Sequence, residues 1–283
     1  NYVPYPVTTG FTAGIAVVIA TLALNDFFGL GIAKLDGSFV HKIGLIAAHM
    51  PQLNPYELLV GSVTLLLIFF FGKVTRAIPT TVVGIVAGTL LAYLLTQVGI
   101  DIATIGSRFS YDLPQGGMGH GIPPYPPVFH MPGGNGDALF RLPDYAEFRM
   151  LLMPAMVIAL LAALESLLSA TVADSMAGTR HNPNAELNGL GIANVLTGLA
   201  AGIPATGAIA RTATNIHAGA KSPLASVMHA LFIMLYVLLF APVISHVPMA
   251  SLAALLLVVA YRMSHVKQFI RTLRIAPRSD SIV

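Results

Sequence analysis

The segment Ala200–Lys221, AAGIPATGAIARTATNIHAGAK, decides how this chain is read. It is apolar, yet it carries an arginine and is interrupted by glycine and proline, so it is too short and too broken to cross a bilayer as one helix. Gly202, Ile203 and Pro204 stop one helix, Ala205–Gly207 is extended, and Ala208–Ala218 restarts as a helix. Three turns at 1.5 Å per residue give it roughly 16 Å, about half of a hydrocarbon core ~30 Å thick. Such a helix begins near the bilayer midplane. Its unpaired N–H groups and positive dipole end face the protein interior, and Arg211 in the first turn adds a full charge. The expected product is an anion site at membrane depth.

Composition supports a membrane setting for that segment. Charged residues make up 10% of the 283, hydrophobic ones 55%, and the mean hydropathy is +0.78, which predicts a polytopic membrane protein, all-α in class. A formal charge of +3 with no basic–aromatic footprint excludes nucleic acid as a partner. Cysteine is absent, which removes disulfides, thiol nucleophiles and Cys-based metal sites. Asn1–Pro4 leads into the first apolar run without a charged n-region, so no signal peptide is expected, and so abrupt a start is expected of a piece of a longer protein.

Outward from the broken segment, apolar spans are expected at Val7–Leu24, Tyr56–Phe71, Thr80–Leu95, Leu151–Val172, Ala185–Leu199, Leu224–Val243 and Met249–Tyr261. Gly10/Gly14 and Gly84/Gly88 repeat a spacing that permits close helix contact. Ser38–Met50 reads as a short interfacial helix, and Asn182-Pro183 as N-cap and first residue of its helix. Residues 99–145, rich in Pro and Gly, read as a long loop without regular period, in which His120 and His130 are solvated. Nine Lys/Arg (Lys73, Arg76, Arg180, Lys221, Arg262, Lys267, Arg271, Arg274, Arg278) fall on one face and five (Lys34, Lys42, Arg108, Arg141, Arg149) on the other. The positive-inside rule makes the nine-charge face cytoplasmic, the long loop external and the basic tail 262–278 internal.

Glu165 and Arg211 are the two ionisable residues expected at membrane depth, where a charge costs several kcal/mol unless it faces protein or a wet cavity. The bland alternative is a buried ion pair between them. Ser169, four residues after Glu165, shares its helix face, and a carboxylate with a hydroxyl suits a proton or a sodium ion; helix–helix hydrogen bonding is the structural alternative for Ser169. Thr206, Gly207, Ala208, Ile209, Ala210 and Arg211 form the candidate substrate site, small residues letting an anion approach the backbone. Asp174, Glu186 and Asn188 read as structural, and Thr212 as satisfying a neighbouring helix. An enzyme using Glu165 as general acid or base finds no support, since no nucleophile–base pair or metal-ligand spacing accompanies it.

The runs LAALESLLSATVADSMAGTR (161–180), HNPNAELNGLGIAN (181–194), Gly202–Ala220 and YPVTTGFTAG (5–14) closely resemble the sulfate permease (SulP) family of anion transporters. The resemblance implies fourteen membrane segments in two inverted seven-segment repeats, a core domain moving against a gate domain, and a cytoplasmic STAS domain. On that map residues 1–98 are gate-type segments five to seven, and 99–145 are the external loop. Residues 146–243 are core segments eight to eleven, with Glu165 and the broken helix 203–219. Residues 244–283 are segment twelve and the basic tail; segments one to four, thirteen, fourteen and the STAS domain lie elsewhere. Glu165 falls at the family's acidic position, an Asp that ligates sodium in bicarbonate-transporting members, and Ser169 at its accompanying hydroxyl. Ala210-Arg211 replaces a Ser-Arg beside the anion.

Glu in place of Asp favours a proton over sodium. The stretch 165–283 is most similar to a bacterial subgroup linked to C4-dicarboxylates. The reading is therefore a proton-coupled secondary transporter for an anion such as fumarate or succinate, in the inner membrane, with no cofactor beyond H+ or Na+. Its partners are the anion, the bilayer, its own STAS domain and a second copy in a homodimer. Sulfate, bicarbonate or chloride transport or exchange, and an uncoupled anion channel, are the alternatives.

Overall fold

The computed structural model describes residues 5–74, 78–113, 116–126, 143–200 and 202–264. Expectations placed on Arg76, His130, Arg141 and the tail beyond residue 264 lie outside them. The chain divides into two compact units, residues 1–124 with 239–283, and residues 125–238.

The first unit contains α1 (Tyr5–Phe27), α2 (Phe39–His49), α3 (Pro55–Phe70), α4 (Thr80–Gln97), the short α5 (Ile105–Arg108), a two-stranded hairpin of β1 (Ser110–Asp112) and β2 (Met118–His120), and α10 (Met249–Met263). Helix starts follow local chemistry. Ser38 caps α2, and Asn54 accepts hydrogen bonds from the Tyr56 and Glu57 amides, with Pro55 at the first helical position. α10 packs on α1 and α3 through small residues: Ala23, Ala253 and Ala254 are buried with Phe27 between them. Ala and Gly let helix backbones approach closely where lipid offers no hydrophobic gain.

Gly84 and Gly88 use the spacing as the sequence suggests. A Cβ on Gly84 would lie 2.7 Å from Ile68 of α3, and one on Gly88 would overlap the hydroxyls of Thr64 and Ser251, which are themselves hydrogen-bonded at 2.8 Å and fully buried. Gly10 and Gly14 meet no described residue: nothing lies within 4 Å of a Cβ built on either.

The loop expectation also needs correction. Thr104 and Ser107 form a capping box that starts α5, and β1 pairs antiparallel with β2. Long-range hydrogen bonds hold this region, from the amides of Ile105, Gly106 and Met249 to the carbonyls of Val247, Ser245 and Ala103. Glu57, absent from the expected ionisable set, is buried at 8% exposure and accepts from the Ala103 amide at 3.3 Å. Its carboxylate rests against Gly29, whose φ of +60° ends the turn after α1.

The second unit contains α6 (Tyr145–Ala177), α7 (Pro183–Leu199) and α8 (Ile209–His217), and the boundary with the first falls inside α9 (Leu224–Ile244). α6, 33 residues long, extends beyond the apolar span at both ends. Asp144 and Glu147 form a capping box at its start, and Gly178 closes it in the left-handed conformation at φ +68°. Asn182 caps α7 with Pro183 following it, as expected. Four described helices, those within 55–73, 80–97, 145–177 and 224–244, are long and apolar enough to cross a membrane.

Candidate anion site

Residues 203–207 are not helical, and α8 begins at Ile209 with the Ala208 carbonyl accepting its first helical bond from Thr212, so the chain does break where Gly202 and Pro204 require it. At nine residues α8 is about 14 Å long. Its N-cap, Ala208, is extended (φ −98°, ψ 116°) and has no side chain with which to cap the first amides. Arg211 is the third residue of α8 and is exposed. The backbone of Ala210 belongs to α8; its side chain lies outside the described set.

The extended segment is held by polar groups from α6 and α7. Asn194 of α7 donates to the Ala205 carbonyl at 2.9 Å and accepts from the Ala205 amide at 2.8 Å. Thr206 Oγ1 donates to the Ala162 carbonyl at 2.7 Å. Gly207 lies flat on α6: a Cβ there would be 3.3 Å from Ser166 Cα, Ser166 Oγ and Ser169 Cβ. One turn into α8, Thr212 Oγ1 meets Ser169 Oγ at 2.7 Å. Ser166 Oγ in turn donates to Glu186 of α7 at 2.8 Å. Ala162, Ser166 and Ser169 thus form one stripe of α6 on which the break is mounted.

Glu165 is half-buried and makes no hydrogen bond to a described residue. It forms no ion pair with Arg211 among the described residues, so the bland alternative of a buried salt bridge is not realised. Ser169, whose hydroxyl is engaged by Thr212, is brought to α8 rather than to the carboxylate. Asp174 closes the end of α6, accepting from Thr179 Oγ1 and from the His181 amide and ring at 2.7–2.9 Å, a structural role as expected.

Sequence reasoning missed Ser166 and Asn194 as parts of this assembly and read Glu186 as merely structural. The one signal was compositional: serine and asparagine facing a Pro/Gly break have backbone groups to satisfy. A cavity of the first unit, about 380 Å³ and lined by Tyr111, His120, Ser245 and His246, contains none of the expected site residues.

Several long apolar helices, and a short helix that restarts uncapped on α6 and bears an arginine, define a polytopic membrane protein. The whole chain, residues 1–283, matches the sequence model of the Sulfate permease family, and the protein belongs to that family, one of transporters and not of enzymes. It is 40% identical over 283 residues to the putative sulfate transporter YvdB of Bacillus subtilis, covering 100% of this chain and 49% of that protein. It is 30% identical over 253 residues to the bicarbonate transporter BicA of Synechocystis, covering 89% and 40%.

Among solved structures it is similar to the transmembrane domain of a cyanobacterial bicarbonate transporter BicA, with TM-score 0.75 and 27% identity over 93% of this chain and 61% of that one. The overall structure of SLC26A9 shares the fold, with TM-score 0.74 at 18% identity, over 98% and 41%. The chain spans about half the length of the curated relatives it matches. It is a multi-pass protein of the inner membrane.

Proposed function

We propose that this chain supplies one half of a mid-membrane anion site in a secondary active transporter working by alternating access. The observation that supports it is the uncapped start of α8, with the Ile209, Ala210 and Arg211 amides and the Arg211 guanidinium on one short element, mounted on α6 beside Gly207. A small anion gains charge-assisted hydrogen bonds from those amides and a Coulombic partner in the arginine. Glu165 takes the coupling proton: half-buried and without a hydrogen-bonded partner among the described residues, it is the carboxylate free to change charge as the anion loads.

For the substrate, the resemblance of residues 165–283 to a C4-dicarboxylate-linked subgroup favours an anion such as fumarate or succinate. A second reading, sulfate or bicarbonate, is favoured by the names of the relatives at 40% and 30% identity. The anion meets a second half-helix contributed by segments outside this chain, and a STAS domain and a homodimer complete the assembly. Uptake of labelled fumarate, sulfate and bicarbonate by the full-length protein in proteoliposomes, with and without imposed proton and sodium gradients, tests it. Saturable uptake of one of them driven by a proton gradient is the expected result. Flux at channel rates that follows the anion's own electrochemical gradient overturns the transporter reading.

A further inference from the structure

We infer that Glu186 is a positioning residue for the anion site, acting through Ser166 on the hydrogen bond that fixes Thr206; the inference rests on the anion-site reading of α8. Ser166 is 2% exposed and its hydroxyl has one acceptor, the Glu186 carboxylate at 2.8 Å. The default for a hydroxyl inside a helix is different: it turns back to the carbonyl three or four residues earlier. Thr171 and Ser175 of α6 follow that default, donating to the Leu167 and Val172 carbonyls, whereas Ser166, like Ser169 with Thr212, is engaged by a neighbouring element.

For Ser166 the carbonyl four residues back is Ala162. That oxygen has two lone pairs. One takes the helical amide of Ser166, and the other takes Thr206 Oγ1 at 2.7 Å. By keeping the Ser166 hydroxyl turned toward α7, Glu186 leaves Ala162 to Thr206, the residue just before Gly207 at the foot of α8. Without an acceptor on α7 the Ser166 hydroxyl competes for Ala162 and displaces Thr206, loosening the segment that presents the amides. What the position requires is an acceptor oxygen of the right reach, not a negative charge.

The test compares Glu186→Ala, Glu186→Gln, Ser166→Ala and the double variant Glu186→Ala/Ser166→Ala of the full-length protein. Two readouts are used: the KM for the transported anion in proteoliposomes, and amide hydrogen exchange over residues 204–209. Glu186→Ala is expected to raise KM roughly fivefold, as loss of one hydrogen bond would, with faster exchange over that segment. Glu186→Gln keeps an acceptor and stays within about twofold of wild type on the same scale. Removing the contested hydroxyl as well returns the double variant toward wild type in both readouts. Should Glu186→Ala fail to fold, Glu186→Asp, one methylene shorter, is the milder version and moves both readouts the same way. Equal damage from Gln and Ala, or no rescue by Ser166→Ala, overturns the inference. If the wild-type protein takes up no anion, the transport reading falls, and the exchange readout alone decides the role of Glu186.

Discussion

The carboxamide of Asn194 and the backbone of Ala205 form a two-way pair, N–H to Oδ1 at 2.8 Å and Nδ2 to carbonyl at 2.9 Å, the pattern a neighbouring strand would provide. A side chain here does the work of a sheet edge. In a bilayer an unwound segment survives only when such partners exist, because each orphaned backbone group costs several kcal/mol. Asn194→Ala removes both bonds and is expected to destabilise the protein by about 1–3 kcal/mol. The midpoint of thermal unfolding in detergent measures it. Asn194→Asp keeps the acceptor, loses the donor and adds a charge facing the Ala205 carbonyl, so it falls at least as far. A midpoint unchanged in both variants removes Asn194 from the support of the break.

Gly207 tests how closely α8 must approach α6. An alanine Cβ would sit 3.3 Å from three atoms of Ser166 and Ser169, so those neighbours must give by a few tenths of an ångström. Gly207→Ala is expected to fold and to raise the KM for the anion several-fold. Gly207→Val, which adds two further carbons to the same gap, is expected to abolish uptake while the protein still inserts in the membrane. Kinetics of uptake by the two variants, against their abundance in the membrane, provide the check.

Glu165 makes no hydrogen bond to a described residue, so removing its charge breaks none among them. Glu165→Gln is expected to insert and to bind anion, but its uptake no longer rises when the outside is acidified, whereas wild-type uptake does. The sign follows from the carrier role: acid outside loads the proton that accompanies the anion inward. A mutant whose uptake keeps the wild-type response to imposed pH gradients takes the coupling role away from Glu165.

In the first unit, Gly88 faces the buried hydroxyl pair Thr64–Ser251. Gly88→Ala overlaps both hydroxyls and is expected to cost about 1–3 kcal/mol of stability, the range for overpacking a filled core. Ser251→Ala in the same background removes one of the two overlaps and recovers part of that loss. Thermal unfolding of the single and double variants reads this directly.

What the sequence made legible was whatever local chemistry dictates. Gly202 and Pro204 fix the break, Asn182-Pro183 fixes the start of α7, and apolar run lengths fix four of the expected spans. What it hid were partnerships made across packing. Nothing near Asn194 announces that its amide pairs with Ala205 on another element. Nothing near Ser166 announces an acceptor twenty residues on. α5 escaped notice because the amides of Ile105 and Gly106 reach the carbonyls of Val247 and Ser245, far along the chain, and the hairpin because each of its strands is only three residues long. Glu57 escaped because a carboxylate near a helix start looks solvated until the Ala103 amide is brought to it.

Locating the transported anion itself probes the central claim most directly. A heavy-atom analogue, such as selenate for sulfate or bromosuccinate for succinate, placed by anomalous scattering in the full-length protein, gives its position without ambiguity. The account predicts a peak within hydrogen-bonding distance, about 3 Å, of the Ile209–Arg211 amides at the foot of α8. A peak elsewhere in the membrane, with residues 202–217 joined into one continuous helix, would contradict it.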